Sequence, residues 1–401
     1  MRDLKHLILF ENLLQEANNE LVKTACREGK IALAYDCSHI PEVLLDVDGC
    51  FGVRLRAPRC VSPDLATYYM TNRCCPYSKS ILERAFEGGY NFIDALIGQE
   101  CCATMNRMEQ YFDYCKLIPK EKFFTSFMDV PFKKTEWYVG YYKRQIQKKI
   151  IEPLEKVYGV DFSEEKLLEA IELHNQICGI ITELGNMRKL PNPPITGYEF
   201  HVIQLVSLVC PKYLILPYLR ETLEEVCDRE ADSENKYRAR IMVVGAEIDD
   251  PEFTKILEEC GAIVVADRYC FGSLPGRDRI FVKEGQTAID AIAEKYLNEN
   301  QCPRSMGQEN IIGRKRYLYD LAQEYGADGI LVESMKFCEY WGYERAQISN
   351  WMMDGFQLPG TMPVCQIERD YTNAATGQLR TRFQAFVESL EIKRIQTVME
   401  A

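Results

Sequence analysis

From Ile31 onward, short apolar runs of strand length alternate with longer segments of helical period, and the alternation stops and then begins again after residue 237. A strand that recurs only after a helix cannot pair as a hairpin. The pattern therefore predicts parallel sheets with helical crossovers, in two successive α/β units. Strands are expected at Ile31–Tyr35, Gly52–Leu55, Phe92–Ile97 and Phe123–Phe127, then at Ile241–Val244, Ala262–Ala266, Gly329–Val332 and Pro363–Gln366. Between the units lie four helical runs, 135–157, 164–186, 198–209 and 211–229, broken at "LPNPPITG" by prolines that cannot continue a helix. The polar run "DREADSENKYRAR" reads as a boundary. The expected organisation is a first α/β lobe at 1–134, a helical insertion at 135–236, and a second lobe at 237–401 that closes with an amphipathic helix from about Ala374 to Val398.

The formal net charge of -12 opposes a nucleic-acid role, and the short basic stretch from Lys133 to Lys149 reads as a solvated face. No run of about 18 apolar residues occurs and the first residues carry charges through their apolar stretch, so a cytoplasmic protein without a membrane span is expected.

Cysteine is over-represented, at 17 of 401 residues. An odd count without a secretion signal makes a disulfide framework a poor explanation, which leaves reduced thiols as core residues or soft-metal ligands. Cys26, Cys178, Cys210, Cys227, Cys260 and Cys365 fall on apolar faces or in strands and read as packing. Two vicinal pairs differ. Cys74-Cys75 precedes Pro76, a favourable first helical residue, and Cys101-Cys102 follows a strand, so both pairs open helices whose N–H groups stabilise thiolates. Cys338 follows another strand and Cys302 lies in the turn "QCPRSMG". Ligands of open parallel sheets collect beyond the carboxyl ends of the strands, where these six thiols can converge. Thiolate-rich sites select zinc or iron–sulfur clusters; the two-to-four-residue cysteine spacing of structural zinc sites is absent. Neighbouring residues project in different directions, so one pair serves two adjacent cubanes, or gives one ligand and one packing residue.

At these residues the chain resembles the superfamily of 2-hydroxyacyl-CoA dehydratases, benzoyl-CoA reductases and double-cubane cluster proteins, on a dehydratase D-component-like pattern. The resemblance runs through "YDCSHIPEVLLDVDGCFGVRLRAP", "NRCCPYSKSILERAFEG", "FIDALIGQECCATMNRMEQ", "DRYCFGS", "GADGILVESMKFCEYWGYE" and "TGQLRTRFQAFVESL". It implies two doubly wound, Rossmann- or flavodoxin-like lobes with an iron–sulfur cluster in the cleft between them, and three cysteines per cubane, here Cys75, Cys102 and Cys338. The additional Cys74, Cys101 and Cys302 make three plus three, which is similar to the branch carrying a double-cubane [8Fe-9S] cluster; a single [4Fe-4S] dehydratase subunit is the alternative. The resemblance further implies a separate homodimeric activator ATPase with its own iron–sulfur cluster, and a small-molecule substrate such as a coenzyme A ester. It also implies pairing with a second copy or a paralogue. The absence of a "GxxxxGK[ST]" loop agrees with ATP hydrolysis in the partner. A non-catalytic electron-storage protein is the remaining reading.

Further candidates surround these cysteines. Ser38, His39 and Glu42 follow the first strand and are candidate acid–base or substrate-contact groups. Arg54, Arg56 and Arg59 follow the second and suit either anionic phosphates or a lobe-to-lobe ion pair. Gly272 and Ser273 are candidates for a loop over the site, and Cys270 beside them reads as packing, with a substrate-facing thiol or an alternative ligand as the other readings.

Overall fold

Two four-stranded sheets, every strand pair in them parallel, carry the architecture of the computed structural model, which describes residues 3–100, 102–230, 237–274, 278–372 and 376–400. In chain order the first part runs α1 (Leu7–Leu13), α2 (Glu20–Arg27), β1 (Ile31–Tyr35), β2 (Cys50–Arg54), α3 (Asp64–Tyr69), α4 (Pro76–Phe86), β3 (Ala95–Gln99), α5 (Ala103–Tyr114) and β4 (Phe124–Met128). A helical stretch follows, α6 (Glu136–Ile146), α7 (Glu152–Tyr158), α8 (Glu164–Met187), α9 (Gly197–Val209) and α10 (Lys212–Asp228). The last part comprises β5 (Ala239–Gly245), α11 (Glu252–Glu259), β6 (Ala262–Tyr269), α12 (Ala288–Asn298), α13 (Gln308–Glu324), β7 (Gly329–Met335), α14 (Glu339–Asp354), β8 (Val364–Arg369) and α15 (Thr376–Glu400).

The sheets are ordered β2-β1-β3-β4 and β6-β5-β7-β8, the same doubly wound topology twice. Each expected strand is present, with small shifts. The third begins at Ala95 rather than Phe92, because Asp94 is used as a cap: its carboxylate accepts the Ala32 amide at 2.9 Å. The helix expected over 135–157 is interrupted by a π turn at Gln147–Ile151, just before Pro153, which has no N–H to continue the α-helical ladder.

Alternate residues of β1 and β3 face opposite sides of the first sheet. Ala32, Ala34 and Leu96 join a core continuous with the second lobe, while Leu33, Tyr35, Ala95 and Ile97 join a separate core. That second core takes in Ala288, Ile292 and Tyr296 of α12, so a helix from the far part of the chain packs under the first sheet, against α6 and α8. Helix α9 is buried on nearly every face, from Phe200 and His201 through Val206, because it lies between the edge strands β2 and β6. A capping box of Thr196 and Glu199 starts it. Among the described residues no helix is long and apolar enough to cross a membrane.

Candidate metal centre

In this topology the chain reverses its order between β1 and β3, and again between β5 and β7, and ligands of such sheets gather at the carboxyl ends of those strands. Three cysteines stand there in one structural role. Cys75 is the N-cap of α4, Cys102 of α5 and Cys338 of α14, so three helix N-termini start at a thiol. Unpaired N–H groups at such termini favour negative charge. Phe337 holds a left-handed φ of 62° immediately before Cys338, a strained conformation for a bulky residue in the tight turn out of β7.

The three thiols are electrostatic neighbours. Burial pushes Cys75 up to about 12 and the Cys102 charge adds to it, while the Ser78 and Tyr77 amides pull the other way. Burial, then Cys75, lifts Cys338 well above its ordinary value, with Cys102 adding to the rise. Thiols in this setting resist ionising on their own account, and bound metal reverses that because a coordinating thiol is deprotonated outright. Among the described residues no three Cys, His, Asp or Glu side chains close around one ion. A cluster carries its ligands on separate irons and so accepts a wider set, and these residues fit such a group.

A second neighbourhood of thiols adjoins the first. Burial, then Glu247, Cys302 and Cys37, raises Cys270 well above its usual range. Cys302 is pushed up to about 11 by burial and by Cys37, against the Arg304 amide and the Arg314 and Arg304 guanidiniums. Glu247 belongs to both groups, since its charge reaches Cys75 as well as Cys270, and burial lifts its own carboxyl to about 8. Asp36 and Glu109 bring two more buried carboxyls together beside Cys37, and burial followed by the Asp36 charge raises Glu109 well above normal. Two buried like charges at one place disfavour each other's ionisation.

Of the other expected ligands, Cys74 turns toward Thr71, whose hydroxyl oxygen lies 3.6 Å from its sulfur, and Cys101 lies outside the described residues. His39 is buried; both ring nitrogens find no hydrogen-bond partner among the described residues, and burial, then Arg304 and Lys134, lowers it to about 3, so it is neutral. Ser38 is buried nearby in sequence. Glu42 lies apart from the thiols in a polar knot: its carboxylate accepts the Tyr296 hydroxyl at 2.5 Å and stands 3.5 Å from His174 and 3.9 Å from Lys212. Burial raises Glu42, but Lys212, His174 and Tyr296 outweigh it and hold it below the usual carboxyl value.

Arg54 and Arg56 both cross to the second lobe. Arg54 pairs with Glu247 at 3.3 Å and donates to the Cys270 carbonyl; Arg56 donates to the Asp249 carbonyl and stands 3.7 Å from its carboxylate. Arg59 is exposed, pairs with Glu16 at 3.0 Å, and lines with Arg56, Lys255 and Asp249 an interlobe cavity of about 680 Å³. Gly272 and Ser273 form a tight turn after β6, with the Ser273 amide on the Asp267 carboxylate at 2.8 Å; a Cβ at Gly272 would meet that carboxylate at 2.5 Å.

Sequence reasoning passed over Cys37, Glu247, Asp36 and Glu109. The signal available was positional: Asp36-Cys37 and Glu247 each stand one or two residues past a central strand, on the rim where ligands gather.

A family model described as 2-hydroxyglutaryl-CoA dehydratase, D-component, matches residues 37–390. The chain is 25% identical to the (R)-phenyllactyl-CoA dehydratase beta subunit of Clostridium sporogenes, over 95% of this chain and 97% of that one. It is 21% identical to the (R)-2-hydroxyglutaryl-CoA dehydratase subunit beta of Acidaminococcus fermentans, over 90% and 93%, and 22% identical to the lactoyl-CoA dehydratase subunit beta of Anaerotignum propionicum, over 90% and 92%. With two doubly wound parallel sheets and a match that spans both, the chain belongs to the 2-hydroxyglutaryl-CoA dehydratase D-component family.

Proposed function

We propose that this chain is the cluster-bearing subunit of an ATP-activated electron-transfer enzyme, with an iron–sulfur cluster held by Cys75, Cys102 and Cys338 between the lobes. A separate homodimeric activator ATPase with its own iron–sulfur cluster supplies low-potential electrons, and the substrate is a small molecule such as a coenzyme A ester. The observation that carries this reading is the convergence of three N-cap thiols from three helices and both sheets. When bound, the cluster supplies one-electron chemistry at a potential ordinary donors do not reach. The protein's own part is to hold that charge against helix N-termini, to exclude water by burial, and to keep protons close by on Glu247 and the Asp36–Glu109 pair.

Two chemistries are compatible with that role. The names of the relatives favour a 2-hydroxyacyl-CoA dehydratase subunit, for which the family resemblance implies a single [4Fe-4S] cluster and a paralogous partner. The additional thiols favour direct reduction of a small substrate at a double-cubane [8Fe-9S] cluster. Iron and acid-labile sulfide measured on anaerobically purified protein separate the two, at about four or about eight irons per chain. Protein that binds neither iron nor sulfide overturns the proposal. Substrate turnover with activator, reductant and ATP removes the reading of a non-catalytic electron store.

A further inference from the structure

Cys178, which the sequence marks only as a packing residue, begins a chain of polar contacts. Its sulfur lies 3.3 Å from Nε2 of His174, one helical turn earlier on α8, and Nδ1 of the same ring faces Glu42 Oε1 at 3.5 Å. Residues four apart on a helix share a face, so α8 by itself aligns the thiol with the imidazole. Glu42, beyond the end of β1, is fixed in turn. Tyr296 of α12 donates to its other oxygen at 2.5 Å, and the Lys212 ammonium of α10 stands 3.9 Å from Oε1. Cys178, His174 and Lys212 are all buried.

Thiol, imidazole and carboxyl in that order are the parts of an activated sulfur nucleophile. The nearby charges favour activation. Glu42 and Asp46 bring two carboxyls to one ammonium, that of Lys212, which stands 2.7 Å from Asp46. The surplus negative charge stabilises an imidazolium at His174, and the adjacent thiol is the source of its proton. A cavity of about 40 Å³ opens beside the sulfur, between α8, α9, α10 and α12, lined by Cys178, His174, Glu42, Ser207, Lys212 and Lys295. Lys295 is itself paired with Glu299. A water takes about 10–15 Å³ by this measure, so the space admits a molecule of two heavy atoms and shuts out a thioester or a coenzyme.

We propose that Cys178 is a site of oxidation by hydrogen peroxide, with His174 as its base and Glu42 holding the ring. His174 takes the thiol proton, and the thiolate attacks one peroxide oxygen, forming the S–O bond as the O–O bond breaks. The departing hydroxide then collects the proton from the imidazolium and leaves as water. The thiol is oxidised to a sulfenic acid while the peroxide is reduced to water, and no further reactant is needed. Lys212 and Lys295, at the cavity wall, favour negative charge on the departing oxygen. The site is independent of the cap thiols and stands whether or not they hold a cluster.

The test exposes the full chain to hydrogen peroxide, stops the reaction with catalase, blocks the thiols still reduced with N-ethylmaleimide on unfolding, and reads each cysteine by mass spectrometry. At about neutral pH Cys178 should oxidise about tenfold faster than Cys210, a buried thiol whose sulfur has the Asn19 amide at 3.5 Å. Both are read from one sample, so any metal present acts on both alike. His174→Gln should bring Cys178 down to the Cys210 rate, and Glu42→Gln should move the pH of half-maximal rate upward. The wild-type profile needs no variant to fold: the Cys178 rate should level off near neutral pH, and a rate still climbing about tenfold per pH unit toward pH ~9, as for an unassisted thiol, overturns the proposal. So does a Cys178 rate equal to that of Cys210, a rate unchanged in His174→Gln, or a profile unmoved in Glu42→Gln.

Discussion

The guanidinium of Arg54, at the end of β2, lies 4.0 Å from the centre of the Phe271 ring that follows β6. The same group pairs with Glu247, so one side chain of the first lobe meets an aromatic face and a carboxyl of the second. Replacing it by methionine keeps the length and removes the cation from the Phe271 ring, the Glu247 carboxyl and the Cys270 carbonyl. Glu247 already holds its proton up to about 8, which limits the penalty of leaving it alone. Arg54→Met should destabilise the fold by about 3 kcal/mol, the lower part of the range for a broken buried pair, read from urea midpoints. An unchanged midpoint would show that the lobes do not depend on this contact.

Cys75→Ala, Cys102→Ala and Cys338→Ala should each lose iron, whereas Cys178→Ala, whose sulfur lies 3.3 Å from His174 on α8, should retain it. Equal iron in all four variants would remove these thiols from the site.

His201 is buried on α9, with Nδ1 2.8 Å from the Thr254 hydroxyl and Nε2 3.1 Å from the Ile248 carbonyl. A carbonyl only accepts, so Nε2 carries the proton and Nδ1 accepts from Thr254. Burial holds the ring at about 4, below the ordinary value of 6.5. The unfolded chain therefore binds the additional proton first, and stability is full above pH 6.5 and declines as pH falls toward 4. His201→Gln should flatten that decline by up to one proton's worth of slope, measured as unfolding free energy against pH. A slope identical to wild type would contradict a buried neutral imidazole.

Lys212 Nζ stands 2.7 Å from Asp46 and 3.9 Å from Glu42, all three groups being withdrawn from water. Lys212→Met should cost about 3–5 kcal/mol, because it strands the Asp46 carboxyl without its counter-charge and leaves Glu42 only His174 and Tyr296. Simultaneous Asp46→Asn should recover part of the loss; a double variant no better than the single one would argue against the pairing.

Gly197 opens α9 against β6, where an added Cβ would lie 2.5 Å from the Val264 Cβ and 2.8 Å from its carbonyl oxygen. The backbone of a central layer cannot yield as a side-chain tip does. Gly197→Ala should lower stability by about 1–3 kcal/mol, visible as a fall in thermal midpoint.

The strand pattern and the helix starts at Cys75 and Cys102 were legible because their signals are local: apolar runs, and a proline at the first helical position. Cys338 was legible for the same reason, as the residue that opens α14 shortly after β7. Cys37 and Cys270 also stand just past strands, β1 and β6, but neither opens a helix. They become neighbours only when the ends of β1 and β6 are brought to one crevice by the docking of two sheets, and Cys270 in isolation reads as one more small apolar residue. The place of α12 was hidden likewise. Its apolar face, with Ala288, Ile292 and Tyr296, predicts burial without saying beneath which sheet.

Helix α9, shared between the borders of both sheets, acts as a strut. Pulling the lobes apart would strip its apolar surface from one side or the other. A stretched intermediate with one lobe intact and the other released would expose the bare flank of β2 or β6 as a template for foreign strands, which makes this single helix a safeguard against misassembly.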